Sequence, residues 1–556
     1  MTTPRLEDLL AEVLPSGLQL NVRHVSTTPT RCEAIFSAPP GQEAEITFCE
    51  SHFFIVTVNQ AQDQENVVDD EVAILGVEVY VYTTDRLTTL FVSKADSTGY
   101  VHLTTSTSPA TAAAPKSLLR LLTTTFIRFL ARSYQRPGVR LVLSLFARAQ
   151  NQYLFPGSVD NERKHVLDDR GLIKWWCRAA DPLLREHAAE SRQQQQQQQT
   201  SGEDASVESV KSSATAYLLV PGCDQYETRA FFPPTARSDE NQNHPRWRVS
   251  YPLNQICSHP DAPPRCLVPR FPDDPKARFL DDLDDELPNT STTTTTTTSG
   301  DGGSSETDKK PGHWRSVRSL DMFWEMMSFR QECSAGRLVG FLWVVVNPPG
   351  LLSSDGLVSP GAAVPVGMKE KIQSESDEIA PAATSAEAKF DERSLSGLQD
   401  EKPQPSTNTS DASRSAFYWP EIGRGEIILS EEDYKLANDV LLDQDFETEE
   451  LAMKGTMAWI RKVASVADIL WWGLKVTGRK QVIETTQPAV PKQTLGSGLI
   501  VRKRKKEVEP ATTSVEAEAE AAHANGEDRP VEASKDSKEG GVNVLNASFV
   551  RKKKKT

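Results

Sequence analysis

Hydrophobic and polar positions divide the chain into blocks with a clear period and long stretches with none. VEVYVY alternates, with Val77, Val79 and Val81 on one side and Glu78, Tyr80 and Tyr82 on the other, the two-residue period of a strand. AEITF, HFFIVTV and LTTLFVSK read as further strands, and ADSTGY as a turn. KSLLRLLTTTFIRFLARSY changes period, placing Leu118, Leu122, Phe126, Phe129 and Leu130 on or near one helical face. RPGVRLVLSLFAR returns to strand after a Pro137-Gly138 break, and RGLIKWWCRAADPLLREHAAE to helix, with a kink or break expected near Pro182. TAYLLVPG and GFLWVVV read as strands, and SLDMFWEMMSFRQE as a helix opening near Ser319 with Asp321 in its first turn. SEEDYKLANDVLL and TEELAMKGTMAWIRKVASVADILWWGL read as two helices capped by Ser430 and Thr448, too apolar to stand alone and so expected to pack on the earlier core. Strands mixed with helices predict one α/β domain.

Four stretches carry no sustained apolar period, at about 189–213 around the Gln tract, 288–312 around the Thr run, 351–415, and the tail from 483. They are expected to be disordered, because nothing in them offsets the entropy of ordering. The domain is therefore expected over 1–482 with three insertions, ahead of a tail at 483–556.

Charge and cysteines narrow the classes. A formal net charge of -15 disfavours nonspecific binding to nucleic acid or anionic membrane and suits a basic protein partner. The seven cysteines are odd in number and lack CxxC spacing, which predicts a reduced, intracellular protein without structural zinc. The nine histidines show no metal-ligand spacing. MTTPRLEDLLAEVLP is acidic and only briefly apolar, unlike a signal peptide, and no apolar run approaches membrane-spanning length.

Candidate chemistry centres on RFPDDPKARF. Asp274 ahead of Pro275 is a good helix start, an N-cap with proline at the first helical position. Asp273 and Asp274 also suit a site that handles a cationic amine, since mutual repulsion raises one carboxylate toward use as a base. The two readings are compatible. Trp175 and Trp176 read as core, or as the wall of an apolar lysine tunnel; Cys177, with no base placed beside it, reads as a buried thiol. Gln493–Gly498 matches the pyrophosphate-cradling pattern of GNAT-type acetyltransferases but lacks the strand and helix that motif needs. The basic segments 501–506 and 550–556 read as solvated charge, nuclear import signals or docking peptides for an acidic partner.

FVSKADSTGY, QYLFPGS, KHVLDDRGLIKWW, FPDDPKARF and FETEELAMKGTMAWIRKV together resemble the fungal histone acetyltransferases of the regulator of Ty transposition type, over about 1–350 and 417–480. The resemblance implies a fold like that of CBP-type acetyltransferases, a central mixed β-sheet wrapped by helices. It implies acetyl transfer from acetyl-CoA to lysines of histone H3, on newly made H3–H4 and on the N-terminal tail, in the nucleus. It also implies histone chaperones of the anti-silencing and nucleosome-assembly-protein types as partners. Asp96, Trp176, Asp273 and Asp274 correspond to active-site positions, with Asp274 the first choice of base and Lys276 an autoacetylated lysine. Ala95, Asp96, Ser97, Phe146, Gln150, His165, Val166, Leu167 and Trp176 fall where acetyl-CoA contacts are implied, with Tyr153 in the same wall. Residues 112–116, ahead of the helix at Ser117, are expected to add phosphate contacts. The competing class is a non-enzymatic histone or chaperone scaffold.

Overall fold

The structure, a computed structural model, describes residues 4–59, 70–107, 117–189, 212–241, 245–287, 312–330, 337–349 and 415–481. Apart from their edges, the four aperiodic stretches lie outside these residues, as do 112–116, Gln493–Gly498 and both basic segments.

Among the described residues eleven strands form one sheet: β1 (Gln19–Thr27), β2 (Thr30–Cys32), β3 (Thr47–Asn59), β4 (Glu71–Thr83), β5 (Leu87–Ser97), β6 (Arg140–Arg148), β7 (Ser213–Leu219), β8 (Trp247–Arg248), β9 (Val339–Asn347), β10 (Ile427–Leu429) and β11 (Leu474–Thr477). The order is β10-β1-β3-β4-β5-β6-β9-β7-β8, with β11 on β1 and β2 on β3. β5–β6, β1–β10 and β7–β8 are parallel and the remaining pairs antiparallel. The fold is thus the mixed central sheet with flanking helices. AEITF and HFFIVTV do not form separate strands: the polar pair Ser51-His52 lies mid-strand in β3, paired with β4 by Ser51↔Tyr80 and His52↔Val79.

Both faces are covered. Alternation in β9 sends Leu342, Val344 and Val346 to one apolar cluster and Phe341, Trp343 and Val345 to the other, which explains why GFLWVVV shows no polar side. The first face packs α1 (Leu6–Val13), α2 (Leu118–Tyr134), α3 (Asp169–Arg185) and, later in the chain, two capped helices. The second packs α4 (Ala277–Asp284) and α5 (Leu320–Met327), with Phe279, Leu280, Phe323 and Trp324 turned inward. The helix does not break at Pro182: α3 runs through it to Arg185.

The block after residue 415 packs back as expected. β10 adds to the sheet edge, and α6 (Glu431–Leu442) and α7 (Glu449–Val466) follow, capped by Ser430 and Thr448. Thr456 Oγ1 in α7 accepts the Ala73 amide at 2.9 Å, and Tyr434 in α6 donates to buried Glu78 at 3.0 Å. α7 ends eight residues before Leu474 opens β11, so ILWWGL leaves the helix rather than extending it.

A buried polar cluster ties this block to the sheet. Glu50 accepts from Tyr134 Oη at 2.6 Å and Trp419 Nε1 at 3.2 Å, while His52 meets Tyr134 at 3.2 Å and His24 at 3.0 Å. Burial raises Glu50 to about 8 against the opposing hydrogen bonds and Arg424, so its contribution to stability is full below its ordinary 4.5 and is lost as pH rises toward 8. Burial lowers His24 to about 3, and burial with His24 lowers His52, so their contribution is full above 6.5 and is lost as pH falls below it. The cluster stabilises the fold most near pH 6.5. Denaturation of the parent and of Glu50→Gln should show the difference in their stabilities shrinking, in the parent's disfavour, by up to about 2 kcal/mol between pH 6.5 and 8; an unchanged difference contradicts this.

Candidate active site

The helix α2 links the parallel strands β5 and β6, and the two strands part company at their carboxyl ends. Their pairing runs from Leu87↔Arg140 to Val92↔Leu145. Past that point β6 stays with β9, while β5 carries a bulge: Glu78 faces Lys94 and Val79 faces Val92, leaving Ser93 as the extra residue. The carboxyl end of a strand at such a divergence is where α/β sheets receive ligands.

A cavity of about 470 Å³ opens there. It is walled by Ser93–Ser97 of β5, by Phe146 and Arg148–Asn151 at the end of β6, by the first turn of α2, by Lys164–Leu167, and by Leu172, Trp175 and Trp176 of α3. Ala95, Asp96, Ser97, Phe146, Gln150, Tyr153, His165, Val166, Leu167 and Trp176 therefore all line one space. Trp176 is both core and wall, standing edge-on to Trp175 with ring centres 4.9 Å apart. Cys177 is fully buried, and burial pushes its thiol far above the ordinary range, which leaves no thiolate nucleophile here.

Asp96 fastens this wall. Its Oδ2 accepts the amides of Tyr153, Leu154 and Phe155 at 2.7, 3.0 and 3.4 Å, and its Oδ1 accepts Lys164 Nζ at 2.8 Å and the Ser97 amide at 2.8 Å. The loop can cross so close because Gly76 lies beneath it: a Cβ there would stand 3.0 Å from Leu154 Cδ1 and Phe155 Cζ. With five donors on one carboxylate, Asp96 acts as a clamp, and its lone pairs are committed before any substrate arrives. Burial pushes the Tyr153 phenol up to about 12, with Asp96 and Asp273 adding to the rise and Arg148 opposing it, so Tyr153 is a donor and not a base.

The FPDDPK turn lies on the other face of the sheet. Phe271 stacks on Phe91 of β5 at 4.1 Å, and Phe91 in turn touches Phe146 of the cavity at 5.7 Å. The expected helix start is displaced: α4 begins at Ala277, and Asp274 instead accepts the Lys276 amide at 2.9 Å within a preceding turn, because Pro275 and Lys276 close that turn first. Nor do the two aspartates face one another as a repelling pair. Asp273 takes φ 54, a left-handed conformation that aspartate tolerates, and remains exposed, with Oδ2 3.0 Å from Lys94 Nζ. Asp274 is buried and pairs with Lys276, which is 3% exposed and whose ammonium sits 5.0 Å over the Phe341 ring.

Asp273, Asp274 and Lys276 lie outside the cavity lining, and Lys94 is the bridge to it, reaching Glu78 at 3.1 Å as well as Asp273. Burial pulls the Lys94 ammonium down, but Glu78 and Asp273 more than offset that and leave it above its ordinary value. Sequence reading missed Lys94, Lys164, Ser93 and Arg120. Arg120 had a signal: α2 opens without an acid in its first turn and carries this arginine there, against the helix dipole, as suits an anion at that end. Burial and the neighbouring Arg178 hold its guanidinium below the ordinary value.

A mixed sheet of this form, with a cavity at diverging parallel strands and an acidic turn carrying Lys276 behind it, fits an acyl-transferring enzyme. Residues 6–137 and 129–462 match the histone acetyltransferase KAT11-type domain, and the chain belongs to that family. It is 49% identical over 588 residues to the histone acetyltransferase rtt109 of Aspergillus flavus, covering 99% of both chains. It is 30% identical over 340 residues to the rtt109 of Schizosaccharomyces pombe, covering 60% of this chain and 70% of that one. The crystal structure of Rtt109 from Aspergillus fumigatus matches at a TM-score of 0.66 and 51% identity, covering 86% of this chain and all of the other. The protein is thus a histone acetyltransferase, an enzyme class that takes its acetyl group from acetyl-CoA.

Proposed function

We propose that the cavity between β5 and β6 holds acetyl-CoA and that histone H3 lysines reach it from the side of Asp273 and Asp274. The observation that supports this best is the Lys94 bridge, which joins a cavity of carrier size to the acidic turn on the opposite face. The donor set fits the ligand. Arg120 at the α2 N-terminus suits phosphates, Trp175, Trp176 and Val166 suit the pantetheine arm, and Ala95, Phe146 and Tyr153 surround the inner end. Bound acetyl-CoA supplies an activated thioester.

The chain's own groups then do four things. Trp176 and Phe146 exclude water, and Asp96 holds the wall in place through Tyr153–Phe155. Asp273 attracts the incoming ammonium. Asp274 accepts its proton once Lys276 no longer occupies that carboxylate, and the freed amine attacks directly, with no acyl-enzyme. Lys276, paired with Asp274 in the acidic turn, is the lysine we assign to autoacetylation, which removes its charge. The substrates we assign are the core lysine of newly made H3–H4 and the H3 tail lysines, presented by chaperones of the anti-silencing and nucleosome-assembly-protein types, in the nucleus. The acidic net charge and the basic segments 501–506 and 550–556 accord with these partners and with nuclear import.

Two titrations test the cavity assignment. Arg120→Ala should weaken acetyl-CoA binding by about tenfold, an ion-pair-sized loss of about 1.4 kcal/mol, while leaving affinity for the phosphate-free acetyl-pantetheine unchanged. Equal loss for both ligands would place the phosphates elsewhere.

A further inference from the structure

Ser93 stands apart from the other residues of the cavity. It is 7% exposed and lines the cavity, and among the described residues its Oγ has no hydrogen-bond partner. A buried hydroxyl normally finds a partner, and one left over in a ligand site points to a group supplied by the ligand. Its backbone setting is also special. Ser93 is the bulge residue that β4 does not match, and it directly follows the last β5 residue paired with β6. The residue thus sits where the strands begin to part, at the inner end of the cavity, between Val92 and the Lys94 that meets Asp273.

We propose that Ser93 donates a hydrogen bond to the acetyl thioester oxygen and holds the negative charge that develops there during transfer. The inference rests on the reading of the cavity as the acetyl-CoA site. As the lysine nitrogen bonds to the carbonyl carbon, the carbonyl π electrons move onto oxygen, which accepts from the Ser93 O–H. As the carbon–sulfur bond breaks, those electrons return, and the departing sulfur ends as the thiol by taking the proton that the nitrogen loses. Ser93 keeps its own proton throughout. Tyr153, the other hydroxyl of the cavity's inner end, is spent on the Arg148 carbonyl at 2.5 Å, and Ser97 lies four residues further out along β5. A donor fixed before the reaction and shielded from water is the arrangement in which such a bond has its largest effect.

The test uses the full chain and Ser93→Ala, with equilibrium affinities for acetyl-CoA and for CoA measured beside turnover on H3–H4. The parent should bind acetyl-CoA more tightly than CoA. Ser93→Ala should weaken acetyl-CoA by about fivefold without changing CoA affinity, the loss of one hydrogen bond to the acetyl group. It should also lower kcat by about 100-fold, as loss of a single oxyanion donor does. An unchanged ratio of the two affinities with unchanged kcat overturns the proposal, as does a rise confined to the histone KM, which would assign the hydroxyl to the lysine. Failure of the parent itself to bind acetyl-CoA would instead remove the reading of the cavity.

Discussion

Asp96→Ala is expected to abolish acetyl-CoA binding and to destabilise the protein by about 3–5 kcal/mol, the range for breaking a buried charge pair. The substitution strips Lys164, whose side chain is only 4% exposed, of its carboxylate, and frees the amides of Tyr153, Leu154 and Phe155. Lys164 keeps only Ser158 Oγ, at 2.7 Å. Denaturant unfolding and an acetyl-CoA titration read the two effects separately. Asp96→Asn/Lys164→Gln, which removes both charges together, should recover most of the stability. Should Asp96→Asn instead keep full stability and full acetyl-CoA affinity and lose only kcat, Asp96 would be a group acting on the substrate and not a clamp on the wall.

The second large effect is at Asp274 and Lys276. Asp274→Ala leaves a buried ammonium beside the Phe341 ring with its carboxylate gone, and should cost about 3–5 kcal/mol. Asp274→Leu/Lys276→Met removes both charges and should be near neutral in stability while remaining inactive. This pair separates chemistry from folding: inactivity in a stable double variant assigns the loss to the site, whereas activity in it would exclude Asp274 as proton acceptor. By contrast Asp273, exposed and on one partner, should tolerate Asn with little change in stability.

Most of the scaffold was legible because each helix and strand has a cover. The period-two run of β4 and the helical face of α2 announce themselves, and Ser319, Ser430 and Thr448 cap the helices that follow them. What was hidden depended on distant segments. ILWWGL has a helix-like composition, yet its end joins the edge of β1, a pairing across more than four hundred residues. The turn at Pro272–Lys276 has all the local signals of a capped helix, and only Lys94 on one side and Lys276 on the other reveal why its two aspartates diverge. The cavity wall residues were reached through motif resemblance, because chain spacing alone cannot show that Ser97, Gln150 and Leu167 converge. Ser93 was invisible for the opposite reason: a lone serine in an apolar strand carries no message until the bulge shows that both neighbouring strands have let it go.

The most direct test of the central claim is acetyl transfer by the full chain with the cavity open and with it filled. Intact-mass measurement and peptide mapping after incubation with acetyl-CoA and H3–H4 would be compared between the parent and Ala95→Trp, whose indole occupies the inner end of the cavity. The account predicts acetylated H3 and acetylated Lys276 with the parent, and neither with a folded Ala95→Trp variant that no longer binds acetyl-CoA. Acetylation that persists at the parent's rate in the filled variant would place the acetyl donor outside the β5–β6 cavity and contradict the account.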